Sequence, residues 1–207
     1  MGKLQAREHA RQDGLKQVVD GAKVIKAMKP ANTKLTCYDY FQLTDDRRYE
    51  LLEGDLFLVP APHLAHQQIL GKLWTAIYAH AKAGRLGEVL LAPCDVVLSE
   101  SIVVQPDVVF VAGEHQGILT DANIQGAPDL VVEILSPSTR ERDLGIKRDL
   151  YARHGVREYW IVDSETKTIE VLCLRATGYH TDSIVPWTGL LNSPLFPTLS
   201  LPLVDIF

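Results

Sequence analysis

Short apolar runs rich in valine and isoleucine place the strongest constraint on the fold of this chain. They are Val89 to Leu91 running on toward Val96-Val97-Leu98, Ile102 to Val111, Leu130 to Leu135, Glu158 to Val162, and Thr168 to Leu174. β-Branched residues dominate them, and Pro, Gly or Asp bounds them, as is usual for strands. The runs therefore predict a β-sheet. The Pro-rich chain after Leu174 is expected to be irregular up to the apolar run Leu199 to Phe207.

A hairpin and two helices are predicted around these strands. The turn Glu53-Gly54-Asp55 separates two short apolar runs, which indicates a β-hairpin. From His63 to Ala83 apolar residues recur at helical spacing, which predicts a long amphipathic helix ending near Gly84. Ser138-Thr139-Arg140-Glu141 has the capping-box pattern and predicts a helix to His154 that Gly155 closes. This order of elements predicts an α/β (mixed α+β) domain, in which helices flank a mixed sheet.

The first 34 residues are expected to form a helical extension ahead of a domain that spans 35–207. Apolar residues recur there every three or four positions between Leu15 and Met28, and Pro30 stops the pattern. Residues 1–30 contain seven Lys or Arg and three Asp or Glu. A solvated or partner-packed helix is preferred to a nucleic-acid-binding arm, because mixed charge on a helix face usually serves solubility.

Composition excludes several classes of protein. A chain of 207 residues with 46% hydrophobic residues is expected to bury one sizeable core. A net charge of −5 argues against coating nucleic acid through bulk positive charge, so any such contact must be local. The three cysteines are widely spaced and suggest neither disulfides nor a zinc site. Without a bilayer-spanning run or a signal peptide, a cytoplasmic protein without a membrane partner is expected.

Two carboxylates interrupt the apolar strands, where a charge is costly. Asp107 follows Pro106 inside one run, and Glu133 lies in the middle of Leu-Val-Val-Glu-Ile-Leu. A buried carboxylate without a partner costs several kcal/mol, so it is expected to be protonated, hydrogen-bonded, ion-paired or metal-bound. A shared Mg²⁺ suits two carboxylates in neighbouring strands better than zinc does. The alternative for each is a strand end that faces solvent or pairs with an arginine.

The residues around these carboxylates carry a resemblance to a known family. The motifs are Tyr49-Glu50-Leu51 with Gly54, His66, Gln105-Pro106-Asp107-Val108-Val109, Pro128 to Thr139, then Asp143, Lys147, Tyr151, Gly155 to Asp163, and Ile206-Phe207. Over about residues 35 to 207 the chain closely resembles the Uma-two family of restriction-endonuclease-like proteins. That family is placed in the PD-(D/E)XK nuclease superfamily, whose core is a mixed sheet flanked by helices.

The resemblance implies roles for four residues. Asp107 matches the Pro-Asp aspartate of the superfamily, and Glu133 matches the acid of its Glu-x-Lys pair. The lysine position of that pair is Leu135 in this chain, so the sequence departs from the pattern there. Lys147 is the natural substitute, because the helix after the Glu133 strand can carry its ammonium back to the same place. Glu50 matches a family acid and is either a third site carboxylate or a residue of the hairpin packing.

Other residues are candidates for substrate contact. Tyr151 lies four residues after Lys147 and shares its helical face. His66 could hold a phosphate or a metal-bound water, or it could cap the long helix. Arg140, Arg142 and Arg148 could contact flanking phosphates, a local role that is compatible with the negative net charge.

The sequence therefore predicts a Mg²⁺-dependent endonuclease that hydrolyses nucleic-acid phosphodiester bonds. DNA is the expected substrate, although the sequence itself does not distinguish DNA from RNA. The oligomeric state is left open, with a homodimer as one candidate because two-fold dimers are common in the superfamily. The alternative is a binding or assembly module that keeps the nuclease fold without catalysis, and Leu135 in place of lysine favours it.

Overall fold

The computed structural model describes residues 33–207, and the predicted N-terminal helical extension lies almost entirely outside them. The helices are α1 (Cys37–Phe41), α2 (Leu64–Gly84), α3 (Arg140–Arg142) and α4 (Arg148–His154), with a π-helical segment, Asp143–Lys147, between α3 and α4. Two 3₁₀ helices span Gly113–Ile118 and Leu203–Asp205. The strands are β1 (Tyr49–Leu52), β2 (Asp55–Leu58), β3 (Gly87–Leu91), β4 (Val96–Ser99), β5 (Ile102–Val104), β6 (Val108–Ala112), β7 (Ile124–Gln125), β8 (Leu130–Ile134), β9 (Glu158–Asp163), β10 (Thr168–Arg175), β11 (Gly178–Pro186), β12 (Leu190–Asn192) and β13 (Ser200–Pro202).

Two sheets form most of the molecule. The larger has six strands in the order β11-β10-β9-β8-β6-β3, in which β8 and β9 are parallel and the other neighbours are antiparallel. The smaller has five in the order β2-β1-β5-β4-β7, with β4 and β7 parallel. Strands β12 and β13 form a separate pair. The predicted α/β class, with mixed sheets flanked by helices, is confirmed.

The predicted hairpin forms through a two-residue turn. Glu53 and Gly54, with φ of 50° and 81°, connect β1 to β2. Two successive positive φ values give the turn twist that matches paired strands, which explains the glycine at its second position.

The run Ile102 to Val111 was predicted as one strand, and this prediction is wrong. Its first part, β5, pairs with β1 and β4 in the smaller sheet, whereas its second part, β6, pairs with β3 and β8 in the larger. The chain changes sheets at Gln105-Pro106-Asp107. Proline cannot donate a ladder hydrogen bond, so a break in pairing at Pro106 is physically expected.

The larger sheet is buried on both faces. On one face the predicted long helix, α2, packs through Ile69, Leu70, Leu73, Ile77 and Ala81 against alternate strand residues such as Phe110 and Trp160. On the other face the intervening strand residues, including Val131 and Tyr159, join a second cluster with Leu150 and Tyr151. Both faces thus exclude water around the strands that carry Asp107 and Glu133.

The second predicted helix forms, but not as expected at its start. The capping-box pattern puts the cap on Ser138, but the residue that precedes α3 is Thr139, whose side chain makes no capping hydrogen bond. The Ser138 hydroxyl instead lies 3.1 Å from that of Ser136. The predicted capping box is therefore wrong. At the other end Gly155 closes α4 in the left-handed conformation, with φ of 91°, as predicted.

The C-terminal part is more regular than expected. Strand β11 pairs along β10, but most of its residues are exposed or partly buried, so the apolar alternation that indicates a strand is weak. The buried carboxylate of Glu158 holds the following chain to the sheet. It accepts hydrogen bonds from the Ser193 hydroxyl at 2.6 Å, the Leu195 N–H at 2.9 Å and the Trp160 indole at 2.6 Å.

Among residues 33–207, no helix combines the length and apolar character that a bilayer crossing requires.

Candidate active site

A cleft of about 310 Å³ opens where the two sheets meet. Glu50 of β1 lines it from the smaller sheet, Glu133 of β8 from the larger sheet, and Asp107 from the crossing segment directly before β6. Lys147 lines it from the π segment, and His66 from the first turn of α2. The structure thus brings these five sequence-predicted residues to one cavity.

The ammonium of Lys147 lies among three carboxylates. Its Nζ is 2.6 Å from Glu133 Oε1, 2.9 Å from Glu50 Oε1 and 3.3 Å from Asp143 Oδ1. Lys147 is 3% exposed and each of the three acids 4% or less. Such burial is tolerated only when charges pair closely, and here one cation serves three acids.

Further donors orient two of these carboxylates. The Tyr151 hydroxyl donates to Glu133 Oε1 at 2.6 Å, from a position buried beneath the cleft. The backbone N–H of Gln105 donates to Glu50 Oε1 at 3.0 Å. Because Gln105 begins the segment that changes sheets, the crossing itself fixes Glu50 in the cleft.

Burial and mutual charge shift the pKa values of the cluster. Burial raises the pKa of Glu133 well above its usual range, and Asp143, Asp107 and Glu50 add to the rise while Lys147 opposes it. Burial also acts to raise the pKa of Glu50, but Lys147 and the Gln105 N–H hold it below the usual value. Burial disfavours the Lys147 ammonium, yet Glu133 and Glu50 raise its pKa well above normal. Lys147 therefore stays charged, and Glu133 is the acid that most readily holds a proton.

Asp107 forms a second, smaller group at the same cleft. Its Oδ2 accepts the Ile134 N–H at 2.7 Å and lies 3.2 Å from His66 Nε2. Burial would lower the pKa of His66, but the hydrogen bond and charge of Asp107 raise it overall. The other ring nitrogen, Nδ1, is buried without a hydrogen-bond partner in the described chain.

The three predicted phosphate-binding arginines do not line this cleft in the described structure. Arg140 pairs with Asp163 at 2.9 Å. Arg142 stacks over the Phe57 ring at 5.3 Å, and its charge helps to lower the pKa of Glu50. Arg148 lies near Tyr179. Burial raises the pKa of Tyr179 well above its usual range, and the charge of Arg148 partly opposes that rise. Their contact with phosphate stays a prediction.

Sequence reasoning did not single out Arg48, and it left Asp143 and Gln105 as parts of a motif only. Arg48 lies two residues before Glu50, and residues two apart in an extended chain face the same side, which is the signal that could have found it. Leu135, which stands at the family's lysine position, is 6% exposed and belongs to the core.

In residues 33–207 no group of three or more His, Cys, Asp and Glu side chains is arranged to hold a metal ion. Asp107 and Glu133 both line the cleft. Each keeps one carboxylate oxygen, Oδ1 of Asp107 and Oε2 of Glu133, that no described residue hydrogen-bonds.

The fold matches that of a solved protein from Anabaena variabilis ATCC 29413, described as "a putative nuclease belonging to DUF820". The TM-score is 0.71 at 20% sequence identity, and the match covers 84% of this chain and 97% of that one. At this identity the likeness concerns the fold alone. None of the curated proteins matches the chain.

The chain belongs to the Uma2 family, which is described as "Putative restriction endonuclease" and whose sequence profile matches residues 37–204. The resemblance expected from the Glu133-to-Asp163 motifs is confirmed. The matched range contains Glu50, His66, Asp107, Glu133 and Lys147.

Proposed function

We propose that this protein is a Mg²⁺-dependent endonuclease that hydrolyses phosphodiester bonds of nucleic acid, with DNA as the substrate. The observation that carries the proposal is the 2.6 Å contact between Lys147 Nζ and Glu133 Oε1 at the cleft that Asp107 lines. Two carboxylates can hold a divalent cation and a lysine ammonium can stabilise charge that develops on a phosphate, and the family description supports the same class of reaction.

Asp107 and Glu133 are the residues that would hold Mg²⁺. Mg²⁺ usually takes one or two carboxylates and keeps several waters, so a pair with one unbonded oxygen on each acid fits it without a third ligand. Bound there, the ion polarises a phosphate and lowers the pKa of a bound water.

The chain's own residues supply orientation and charge. The ammonium of Lys147 donates toward the attacking water or the charge that develops on the phosphate, since a preorganised cation in a water-poor site favours that charge. Glu50 and Asp143 keep Lys147 protonated and in place. Tyr151 fixes the rotamer of Glu133. Lys147 thus takes the role for which Leu135 has no functional group.

Nicking of supercoiled plasmid tests the proposal. The purified chain is expected to nick DNA with Mg²⁺ and to stop when EDTA removes it. Asp107→Asn and Glu133→Gln should each lower the rate by at least about 100-fold, the scale of losing one electrostatic element of an active site. Glu88→Gln, an exposed acid on β3, is the matched control and should cut normally. Equal nicking by the Asp107→Asn and Glu133→Gln variants would reveal contamination and reject the assignment.

One observation favours a second candidate, a non-catalytic binding or assembly module with this fold. The Lys147 ammonium already lies between the acids, so the cluster has a cation of its own. Mg²⁺ titration by calorimetry separates the two candidates: the nuclease binds the ion and loses that heat in Asp107→Asn, whereas the scaffold gives no heat in either protein. Light scattering tests whether the chain forms the homodimer that the superfamily resemblance suggests.

A further inference from the structure

Arg48 reaches the cleft with its charge uncompensated. It lines the cavity, and within residues 33–207 no carboxylate comes within ion-pair distance of its guanidinium. To the described residues its guanidinium makes one hydrogen bond, from Nε to Gln105 Oε1 at 3.0 Å. The other guanidinium nitrogens, Nη1 and Nη2, have no hydrogen-bond partner among the described residues and are not buried, so they are open to solvent.

A partly buried hydrogen-bond network holds Gln105, the partner of Arg48, in one orientation. The Gln105 side-chain amide donates from Nε2 to Asp95 Oδ1 at 2.8 Å and to the Tyr40 hydroxyl at 3.2 Å. The Tyr40 hydroxyl in turn donates to Asp95 Oδ1 at 2.8 Å. With its nitrogen committed to acceptors below, the amide must present its oxygen to Arg48, which is therefore held by Nε with its other edge free.

The cleft otherwise offers little positive charge to a polyanion. Of the described Lys and Arg side chains that line it, the other one, Lys147, is 3% exposed and surrounded by three acids. In the proposed mechanism Lys147 acts on the reacting phosphate, so Arg48 is the cation lining the described cleft that remains for another phosphate of the backbone. Nucleic-acid backbones are bound mainly through such Lys and Arg contacts.

We propose that Arg48 binds a backbone phosphate of the nucleic-acid strand that enters the cleft. The free edge of a guanidinium presents paired N–H groups that match two phosphate oxygens, and its planar fork needs little reordering when one edge is already fixed. This inference rests on the proposed function, because it assigns a contact within the same cleft to the same class of substrate. Gln105 serves both groups, since its backbone holds Glu50 and its side chain holds Arg48.

Oligonucleotide binding with a matched pair of arginine variants tests the inference. Binding of a fluorescein-labelled DNA strand is followed by anisotropy with Ca²⁺ in place of Mg²⁺ and over a range of salt concentrations. Arg48→Ala is expected to weaken binding about tenfold or more, and to reduce the slope of log K against log salt by about one. Arg47→Ala is the control. It removes the same charge from the neighbouring residue, whose exposed side chain does not line the cleft.

Arg48→Lys adds a readout that separates a phosphate contact from a purely structural role. It keeps the charge but loses the fork, so the salt slope should return to the wild-type value while affinity recovers only in part. Thermal unfolding of each variant confirms that it is folded.

The outcomes separate the inference from the proposed function. Equal weakening by Arg48→Ala and Arg47→Ala, or wild-type affinity in Arg48→Ala, would overturn the inference even if the wild type nicks plasmid. Selective weakening by Arg48→Ala without nicking by the wild type would support the phosphate contact and reject catalysis. A wild type that neither binds nor nicks would defeat both.

Discussion

Replacing Lys147 by methionine is the perturbation whose cost the structure defines best. Methionine keeps most of the apolar stem and removes the ammonium from between Glu50, Glu133 and Asp143. The two shorter contacts are charge-assisted hydrogen bonds of roughly 1.5–3 kcal/mol each. Breaking a buried ion pair by removing one partner costs about 3–5 kcal/mol, which agrees with their sum. For a domain of this size each kcal/mol is worth roughly 2–4 °C, so the melting temperature should fall by roughly 6–20 °C.

The loss should depend on pH in a direction that the pKa shifts fix. In the wild type the raised pKa of Lys147 makes its stabilising contribution fully present below the usual lysine pKa, and lost only as pH rises through the higher folded value. In Lys147→Met the acids lose their cation, so their folded pKa values rise and the variant loses stability as pH rises through them. The difference from the wild type should therefore be larger at pH 8 than at pH 5.

Urea unfolding at both pH values measures this difference. Lys34→Met is the control, because Lys34 and Asp55 pair at 2.5 Å while 60% and 55% exposed, and such a pair contributes at most about 1 kcal/mol. Adding Glu133→Gln to Lys147→Met should restore part of the loss, since one fewer acid is left without a cation. A Lys147→Met free energy of unfolding within about 1 kcal/mol of the wild type at pH 8, or a larger loss at pH 5, would refute the charge argument.

Two further predictions concern the scaffold. Glu158→Ala leaves the three donors of its carboxylate unpaired in a buried place, at about 1–3 kcal/mol each, so urea unfolding should show a loss of about 3 kcal/mol or more. Glu88→Ala is the control, because Glu88 is exposed on β3, and it should change the free energy of unfolding by no more than about 0.5 kcal/mol. Similar losses in Glu158→Ala and Glu88→Ala would contradict the role given to the Glu158 carboxylate. Gly54→Ala should cost at least about 1 kcal/mol, because φ is 81° and the new Cβ would lie 2.5 Å from Lys34 Cβ. Thermal unfolding of both variants checks this: the new Cβ of Gly117→Ala meets no atom within 4 Å, so that variant should be nearly neutral.

The strands and their carboxylates could be predicted because their signals are local. Glu133 stands out in the sequence since four apolar residues surround it, and the structure buries all five positions of β8. The turn at Gly54 and the cap at Gly155 were equally readable, because each requires a backbone conformation that glycine adopts most easily.

The convergence of the cleft could not be predicted in the same way. The break at Pro106 sends two halves of one apolar run to different sheets, and no local preference says which partner each half will choose. The π segment brings Asp143 and Lys147 under Glu50, and its sequence shows no periodicity distinct from an ordinary helix. Arg48 could not be singled out from the sequence, because whether its charge is free to bind a ligand depends on which charges are paired in the folded cleft.

The contacts of Lys147 add a polar link between two sheets that also share apolar packing, since Leu52, Val96 and Val104 of the smaller sheet cluster with Val109 and Val131 of the larger. Glu50 belongs to the smaller sheet, part of which packs in its own cluster around Leu51 and Val103, while Glu133 belongs to the larger sheet. One ammonium therefore ties the two sheets together at the cleft itself, in addition to the apolar packing that joins them elsewhere. The arrangement of the acids in the cleft and part of the cohesion between the sheets thus depend on the same few bonds.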